Sequence, residues 1–306
     1  MDYLVNSRSI SHFSVMAIPF LERLRPFASW LWLFFMMTLF VSPIVLANKS
    51  SASVTDYAPD IRRILARGEL IVALPNRDQP PFFYEKNGNL EGIDVDLVRG
   101  LAHEFQLGIR FHRGAGSQDE LIDVISRGEA DIGIGKLTRT FHRALSVRFS
   151  DPYLTLRHAL ALNQLRIAEL TKGDDMRAVI KKFPGTIGVL TKTAYADLAR
   201  RNFPQAKIIE FSRWEDAISA VKKGKVDALY RDEFEIKRLM KVDTRNLLLL
   251  KAVVLTDTRS PLSIAVHHDN QQLLSIINLY LSQQTLPPNV DALLMHIPVN
   301  LEQKIH

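Results

Sequence analysis

Three times along the chain a helical tail ends in a basic residue, a glycine and a charged residue, and a β-rich apolar run follows at once. The segments are ILARGELIVALP (Ile64–Pro75), VISRGEADIGIG (Val124–Gly135) and AVKKGKVDALY (Ala220–Tyr230). The glycine suits the left-handed position that closes a helix, and the basic residue favours the negative end of the helix dipole. The apolar run that follows reads as a short buried strand.

Further strands are expected at Ile109–His112, Ala159–Leu162, Thr186–Leu190, Lys207–Phe211, Leu247–Leu255 and Ser263–His267. Helical spacing lies between most of them, at Asp94–Glu104, Ser117–Ser126, Ala194–Asn202, Trp214–Lys222, Glu233–Met240 and Gln271–Gln283. Alternation of this kind predicts an α/β fold of parallel-rich sheets with helices on both faces, and the repeat points to two similar lobes. In such sheets ligands bind beyond the carboxyl ends of strands, where Thr138–Arg143 and Arg231–Asp232 fall.

The 306 residues suit one large domain or two modest lobes, and an apolar content of 47% supplies a sizeable core. Cysteine is absent, which excludes disulfides, a lipidated cysteine, a thiol nucleophile and thiolate metal sites. Residues 27–47, FASWLWLFFMMTLFVSPIVLA, carry no charge and follow Arg23 and Arg25. The basic flank, the apolar run, Pro43 and the small exit residue Ala47 predict a secretory signal. An uncleaved anchor is the alternative, since a helix of that run can span about 30 Å of hydrocarbon. Residues 1–47 are therefore read as signal or anchor and 48–60 as a polar linker, with the rest exported to the periplasm. The net charge of +6 suits a surface facing an anionic membrane or wall. No groove-reading or RNA motif is present, so no nucleic-acid partner is expected.

Motifs for bound cofactors fail on inspection. GEADIGIGK has a misplaced leading glycine, and Leu137 follows the lysine in place of Ser or Thr. GAGSQD (Gly114–Asp119) is a turn. The histidines are scattered, and the adjacent His267 and His268 on a strand end are expected to point to opposite faces. No cofactor and no metal site are expected.

Three longer segments carry a resemblance. They are GELIVALPNRDQPPFFYEKNGNLEGIDVDLVRGLA, GEADIGIGKLTRTFHRALSVRFSDPY and GKVDALYRDE. Together they resemble the family 3 extracellular solute-binding proteins, the amino-acid-type periplasmic receptors of ABC importers, over about Gly68 to Gln283. The resemblance implies a two-lobed type II periplasmic-binding-protein fold with two hinge crossings. Lobe one would be 69–157 plus 261–290, lobe two 158–258, and 291–306 a C-terminal tail. Asp151-Pro152 would then stop the local structure and send the chain toward the first hinge.

The resemblance also implies site residues. Arg143 would hold a ligand carboxylate through its planar fork of donors. Thr138 would add a hydroxyl or backbone contact, and Thr140 would cap the short helix before Arg143. Asp232 would meet a ligand ammonium, with the cap of the following helix as its competing use. Thr193 keeps a hydroxyl in a turn where Lys192 replaces the usual glycine. Gln79 and Gln118 stand where aromatics are common, with Phe82 nearby and packing on the lobe as its alternative use. Lys136 opens the carboxylate loop in place of a small polar residue. Residues alone read Arg143 as an exposed arginine on an amphipathic turn, and leave Lys192 readable as a lysine turned to solvent. The cationic, aromatic-poor set hints at an acidic ligand.

The expected function is a non-enzymatic, monomeric receptor that captures an amino acid or related carboxylate for an ABC permease. One alternative is a dehydratase resembling periplasmic cyclohexadienyl dehydratases, with Asp232 or Glu233 and Lys192 in acid–base roles. The other is a sensory or regulatory module of the same fold.

Overall fold

The computed structural model describes residues 56–173, 175–285, 289–295 and 297. The signal or anchor segment 1–47 lies outside the described residues, and among those described no helix is long and apolar enough to cross a membrane.

The chain forms two five-stranded sheets. The first contains β1 (Glu69–Pro75), β4 (Gly108–Ala115), β5 (Ile132–Gly133), β6 (Val147–Phe149) and β12 (Ala265–His267), in the order β4-β1-β5-β12-β6. The second contains β7 (Leu154–Asn163), β8 (Thr186–Leu190), β9 (Lys207–Phe211), β10 (Ala228–Asp232) and β11 (Leu250–Leu262), in the order β11-β7-β10-β8-β9. A two-residue turn joins the small hairpin of β2 (Tyr84–Lys86) and β3 (Asn89–Glu91). Pairing is parallel for β1 with β4 and β5, and for β8 with β9 and β10. It is antiparallel where β12 meets β5 and β6, and where β7 meets β10 and β11. The fold is thus a two-lobed α/β arrangement with mixed sheets, because the strands that return between lobes run against the parallel set.

Why the apolar runs are continuous rather than alternating is visible in the packing. In β1, Leu70, Val72 and Leu74 join one core with α1 (Pro59–Arg67), α2 (Ile93–Glu104) and α11 (Gln271–Ser282). Ile71 and Ala73, on the other face, join a second core with α3 (Gln118–Ser126). The second lobe repeats the scheme. Leu160, Leu162 and Tyr230 pack on α5 (Gln164–Thr171), α6 (Met176–Lys181) and α7 (Ala194–Asn202). Ala159, Ala161 and Leu229 pack on α8 (Trp214–Lys222) and α9 (Glu233–Val242). A strand covered on both faces has no position left for a polar side chain.

The glycines of the repeat, Gly68, Gly128 and Gly224, have φ of 75°, 70° and 68°, the left-handed region that the sequence demanded. The repeat also places one buried acid per lobe. Asp131 accepts from the Ile71 amide (2.8 Å) and pairs with Arg67. Asp227 accepts from the Thr186 amide (2.7 Å) and hydroxyl (2.8 Å) and from Arg166 Nε (2.9 Å). Each carboxylate fastens the strand that follows a helix to the neighbouring strand of its sheet.

Two strands cross between lobes. Leu154–Leu156 at the start of β7 pair with Ser260–Leu262 at the end of β11, after a register shift between Leu255 and Ser260. Thr138 bridges to Leu262, and the Ser263 amide donates to the Leu137 carbonyl (3.0 Å), so both crossings are anchored on the first lobe.

Several details depart from the sequence reading. Leu247–Leu249 belong to a short helix, α10 (Asn246–Leu249), and not to a strand; the Asn246 side chain donates to the Leu239 carbonyl (2.6 Å) and turns the chain there. His267 and His268 do not point to opposite faces. His267 ends β12, alternation stops with it, and the two rings lie 3.9 Å apart at 35°. The region expected as a tail begins beside a helix, α12 (Val290–Met295), whose Val290, Leu293 and Leu294 join the first-lobe core.

Removing the Asp227 carboxylate leaves the partly buried amide and hydroxyl donors of Thr186 without their acceptor. Asp227→Ala is expected to lower the unfolding free energy by about 2 kcal/mol, and Asp227→Asn, which keeps an acceptor oxygen, by roughly half as much. Urea unfolding midpoints of the two variants check the order.

Candidate functional site

A cavity of about 580 Å³ lies between the sheets and is lined from both lobes. From the first lobe come Gln79, Gln118, Lys136 and Thr138, and from the second Lys192, Thr193 and Asp232. These are seven of the nine residues singled out from the sequence. Arg143 and Phe82 stand behind the lining.

The carboxyl end of β5 positions Lys136. Gly135 (φ 131°) and Lys136 (φ 53°) both take backbone conformations that a side chain resists. The buried Asp94 carboxylate holds the turn by accepting from the Lys136 amide at 2.7 Å. Burial pushes the Asp94 carboxyl up to about 7, although the Lys136 amide and charge act in the opposite direction.

From that turn the Lys136 side chain crosses to the second lobe. Its Nζ lies 3.0 Å from Asp232 Oδ1 and 2.8 Å from Glu235 Oε1, and all three side chains are at most 5% exposed. Phe82 of the first lobe and Phe234 of α9 meet edge to face at 5.2 Å, with the ammonium 5.1 and 5.0 Å from the two ring centroids. Cation–π attraction thus adds to the ion pairs. Phe82 is fully buried and acts as a platform for the lysine.

Asp232 is the N-cap of α9: its Oδ1 also accepts from the Glu235 amide (3.1 Å). Glu235 was not selected from the sequence. Its Oε2 accepts from Arg238 at 2.6 Å. Burial alone would raise the Glu235 carboxyl, but the charges of Arg238, Lys136 and Arg231 outweigh it and hold the group well below the usual carboxylate range. The one available signal was the spacing of Asp232 and Glu235, an N-cap followed three residues later by an acid. Arg231, placed by the sequence at a strand's carboxyl end but given no role there, also lines the cavity. Its guanidinium lies 4.9 Å over the Trp214 ring, and its Nε is 4.0 Å from Asp232 Oδ2.

Arg143 is 4% exposed. Its Nε and Nη2 donate to Asp119 Oδ1 (3.0 and 2.8 Å), and its Nη1 donates to Gln118 Oε1 (3.0 Å) and the Thr138 carbonyl (2.9 Å). Gln118 in turn donates to the Lys136 carbonyl (2.6 Å). The guanidinium therefore fixes two groups of the cavity wall from behind. Thr140 caps the turn that carries it, accepting from the Arg143 amide at 3.3 Å. Thr138 Oγ1 meets Ser260 Oγ at 3.2 Å, at the second crossing.

In the second lobe the turn before α7 places Lys192 and Thr193. Lys192 has φ 55°, the conformation that a glycine adopts at less cost. Its Nζ reaches Glu120 of the first lobe at 3.4 Å, an exposed contact across the rim. Thr193 Oγ1 turns back to the Leu190 carbonyl (2.7 Å). Gln79 is held by backbone bonds with Phe83, while its Oε1 is buried without a protein partner. Among the described residues, His267, His268 and Asp269 are the group with ligand atoms close enough for a metal, within 4.8 Å of one another, and none of them lines the cavity.

Comparison with known proteins agrees with this architecture. The profile of the bacterial extracellular solute-binding proteins, family 3, matches residues 70–205. The glutamine-binding protein of Geobacillus stearothermophilus is 28% identical over 239 residues, covering 70% of this chain and 84% of that one. A structure of a binding component of an ABC transporter from Wolinella succinogenes, complexed with lysine, superposes with a TM-score of 0.62 at 26% identity, covering 78% of this chain and 100% of that one. The ancestral amino acid-binding protein AncCDT-1, a precursor of cyclohexadienyl dehydratase, gives 0.59 at 27% identity, with 77% and 98% covered.

Two predictions follow from the geometry. Lys136→Met leaves two buried carboxylates without their shared cation and is expected to destabilise the protein by about 3 kcal/mol; adding Asp232→Asn and Glu235→Gln should restore most of it. Asp94 has its folded pKa above the unfolded carboxylate value, so its contribution is complete below about pH 4 and is lost as pH rises through about 7. Asp94→Asn should therefore flatten the decline in unfolding free energy between those limits, read as the difference between variant and parent in urea titrations at stepped pH. Over residues 70–205 the chain matches the family 3 bacterial extracellular solute-binding proteins, and its two-lobed fold with an interlobe cavity agrees with that match.

Proposed function

We propose that the protein is a periplasmic receptor that captures a small carboxylate solute, of the amino-acid class or related to it, in the interlobe cavity and delivers it to an ABC permease of the inner membrane. The observation that carries this reading is the cavity of about 580 Å³, whose polar lining is contributed by both lobes. Only a site split in this way makes binding and lobe approach the same event. The relatives named above are binding proteins, and this chain is a binder rather than an enzyme.

The solute sits among Gln79, Gln118, Thr138, Lys192 and Thr193, with Lys136 and Asp232 forming the cavity floor. Arg143 orients Gln118 and the Thr138 carbonyl, so it shapes the first-lobe wall of the site through the groups it holds. Export by the N-terminal segment and action as a monomer complete the proposal.

A thermal-shift screen of the purified protein against amino acids, dicarboxylates and polyamines tests it. A true ligand at a hundred times its Kd adds about 2.7 kcal/mol to the folded state and raises the melting temperature in a saturable manner. Thr193→Trp, which fills the cavity from the second lobe, is expected to abolish the shift while the free protein melts within a few degrees of the parent. A shift that survives this substitution places the ligand elsewhere.

A further inference from the structure

Every acidic side chain that lines the cavity already faces a cation of the protein. Asp232 and Glu235 share Lys136 at 3.0 and 2.8 Å, and the second oxygen of Glu235 takes Arg238 at 2.6 Å. The second oxygen of Asp232 looks toward Arg231 Nε at 4.0 Å. Nearer the mouth, Asp78 takes Arg113 at 2.8 Å and the Glu85 amide at 3.1 Å, and Glu215 faces Arg213 at 3.5 Å.

The cations are not matched in the same way. Lining the same cavity, Arg231 lies over the Trp214 ring at 4.9 Å and comes no closer than 4.0 Å to a carboxylate. Its side chain is 12% exposed, so little water can serve its donors. Arg77, also in the lining, makes no ion pair with a described residue. Lys192 has only the exposed 3.4 Å contact with Glu120.

We infer that the cavity takes a small organic carboxylate that carries no ammonium group, because Lys136 is a built-in cation for Asp232 and Glu235 while the Arg231 guanidinium, 4.9 Å over the Trp214 ring, is left to receive the anion. An ammonium brought into this cavity would meet Asp232 and Glu235 already neutralised by Lys136 and Arg238, and the Asp232 oxygen left to it, Oδ2, is itself shared with Arg231 at 4.0 Å, so its desolvation is poorly repaid. A carboxylate brought to Arg231 meets a planar fork of donors already held in place by the indole. The inference rests on the receptor reading above and narrows its ligand class.

Calorimetric titration and thermal shift with matched pairs test it: succinate against aspartate, glutarate against glutamate, and pyruvate against alanine. The expected result is at least tenfold tighter binding of the member without the amino group in the pair that responds, and at least a tenfold loss of that binding in Arg231→Gln. Lys136→Met, which frees the two acids, is expected to reverse the preference within the responding pair. If that variant does not fold, the parent pairs and Arg231→Gln still decide. Equal or tighter binding of the amino member to the parent protein overturns the inference and leaves the receptor reading standing. Undiminished binding by Arg231→Gln overturns the assignment of the anion seat. No binding by any member of the three pairs overturns the inference together with the carboxylate-receptor reading on which it rests.

Discussion

The ion cluster of Lys136, Asp232 and Glu235 is the interaction on which the site depends. It takes three charges out of water at once, and all three side chains are at most 5% exposed. Desolvation on this scale is tolerable only where each charge finds near-ideal partners. The structure supplies them from both lobes: an ammonium from the end of β5, two carboxylates from the first turn of α9, and Arg238 behind Glu235. The same cluster fixes where the second-lobe helix sits against the first-lobe aromatic Phe82, through the edge-to-face contact with Phe234. The cluster is thereby a structural joint and the floor of the cavity together.

Its demands reach back into the first lobe. Lys136 can point across only because its backbone adopts a left-handed turn, and a residue with a side chain needs help to stay there. Asp94 gives that help through the Lys136 amide, at the expense of a carboxyl buried so deeply that its proton affinity rises to near neutrality. Gln118 holds the Lys136 carbonyl, and Arg143 holds Gln118. Arg143 is thus linked to the joint through one intermediary. A guanidinium suits a planar oxygen acceptor from any source, and here Asp119, Gln118 and Thr138 of its own chain provide such acceptors.

How much of this was legible in the sequence follows from the range of the interactions. The helix–glycine–strand repeat is local, and it announced the strands, the left-handed glycines and the two similar lobes. The acids Asp131 and Asp227 belong to the same repeat, and each ends as the buried clasp of its sheet. The run of leucines at 247–249 has strand composition, yet Asn246 anchors a helical turn there by a tertiary bond that composition does not encode. The cavity residues Gln79, Gln118, Thr138 and Thr193 were implied by the family resemblance, which carries positions along the chain that composition alone does not mark. Glu235 was not, and Arg231 was placed at a strand end without a role, because their importance comes from Lys136 and Trp214, and the first of these pairings spans 99 positions. Asp232 answered to both readings of its sequence context, since the oxygen that caps α9 also faces the lysine.

A binding site of this kind is defined by the charges left over after the protein has satisfied its own. Counting charged residues along the lining would suggest a cavity ready for a zwitterion, because acids and bases are both present. Pairing them one by one gives a different result. The carboxylates face Lys136, Arg238, Arg113 and Arg213, and the groups left without a close ion-pair partner, Arg231 and Arg77, are guanidinium groups. The electrostatic character that a solute meets is therefore set by a lysine that never needs to touch it. A small polar residue in place of Lys136 would leave Asp232 facing the cavity without its cation and shift the leftover charge toward the negative.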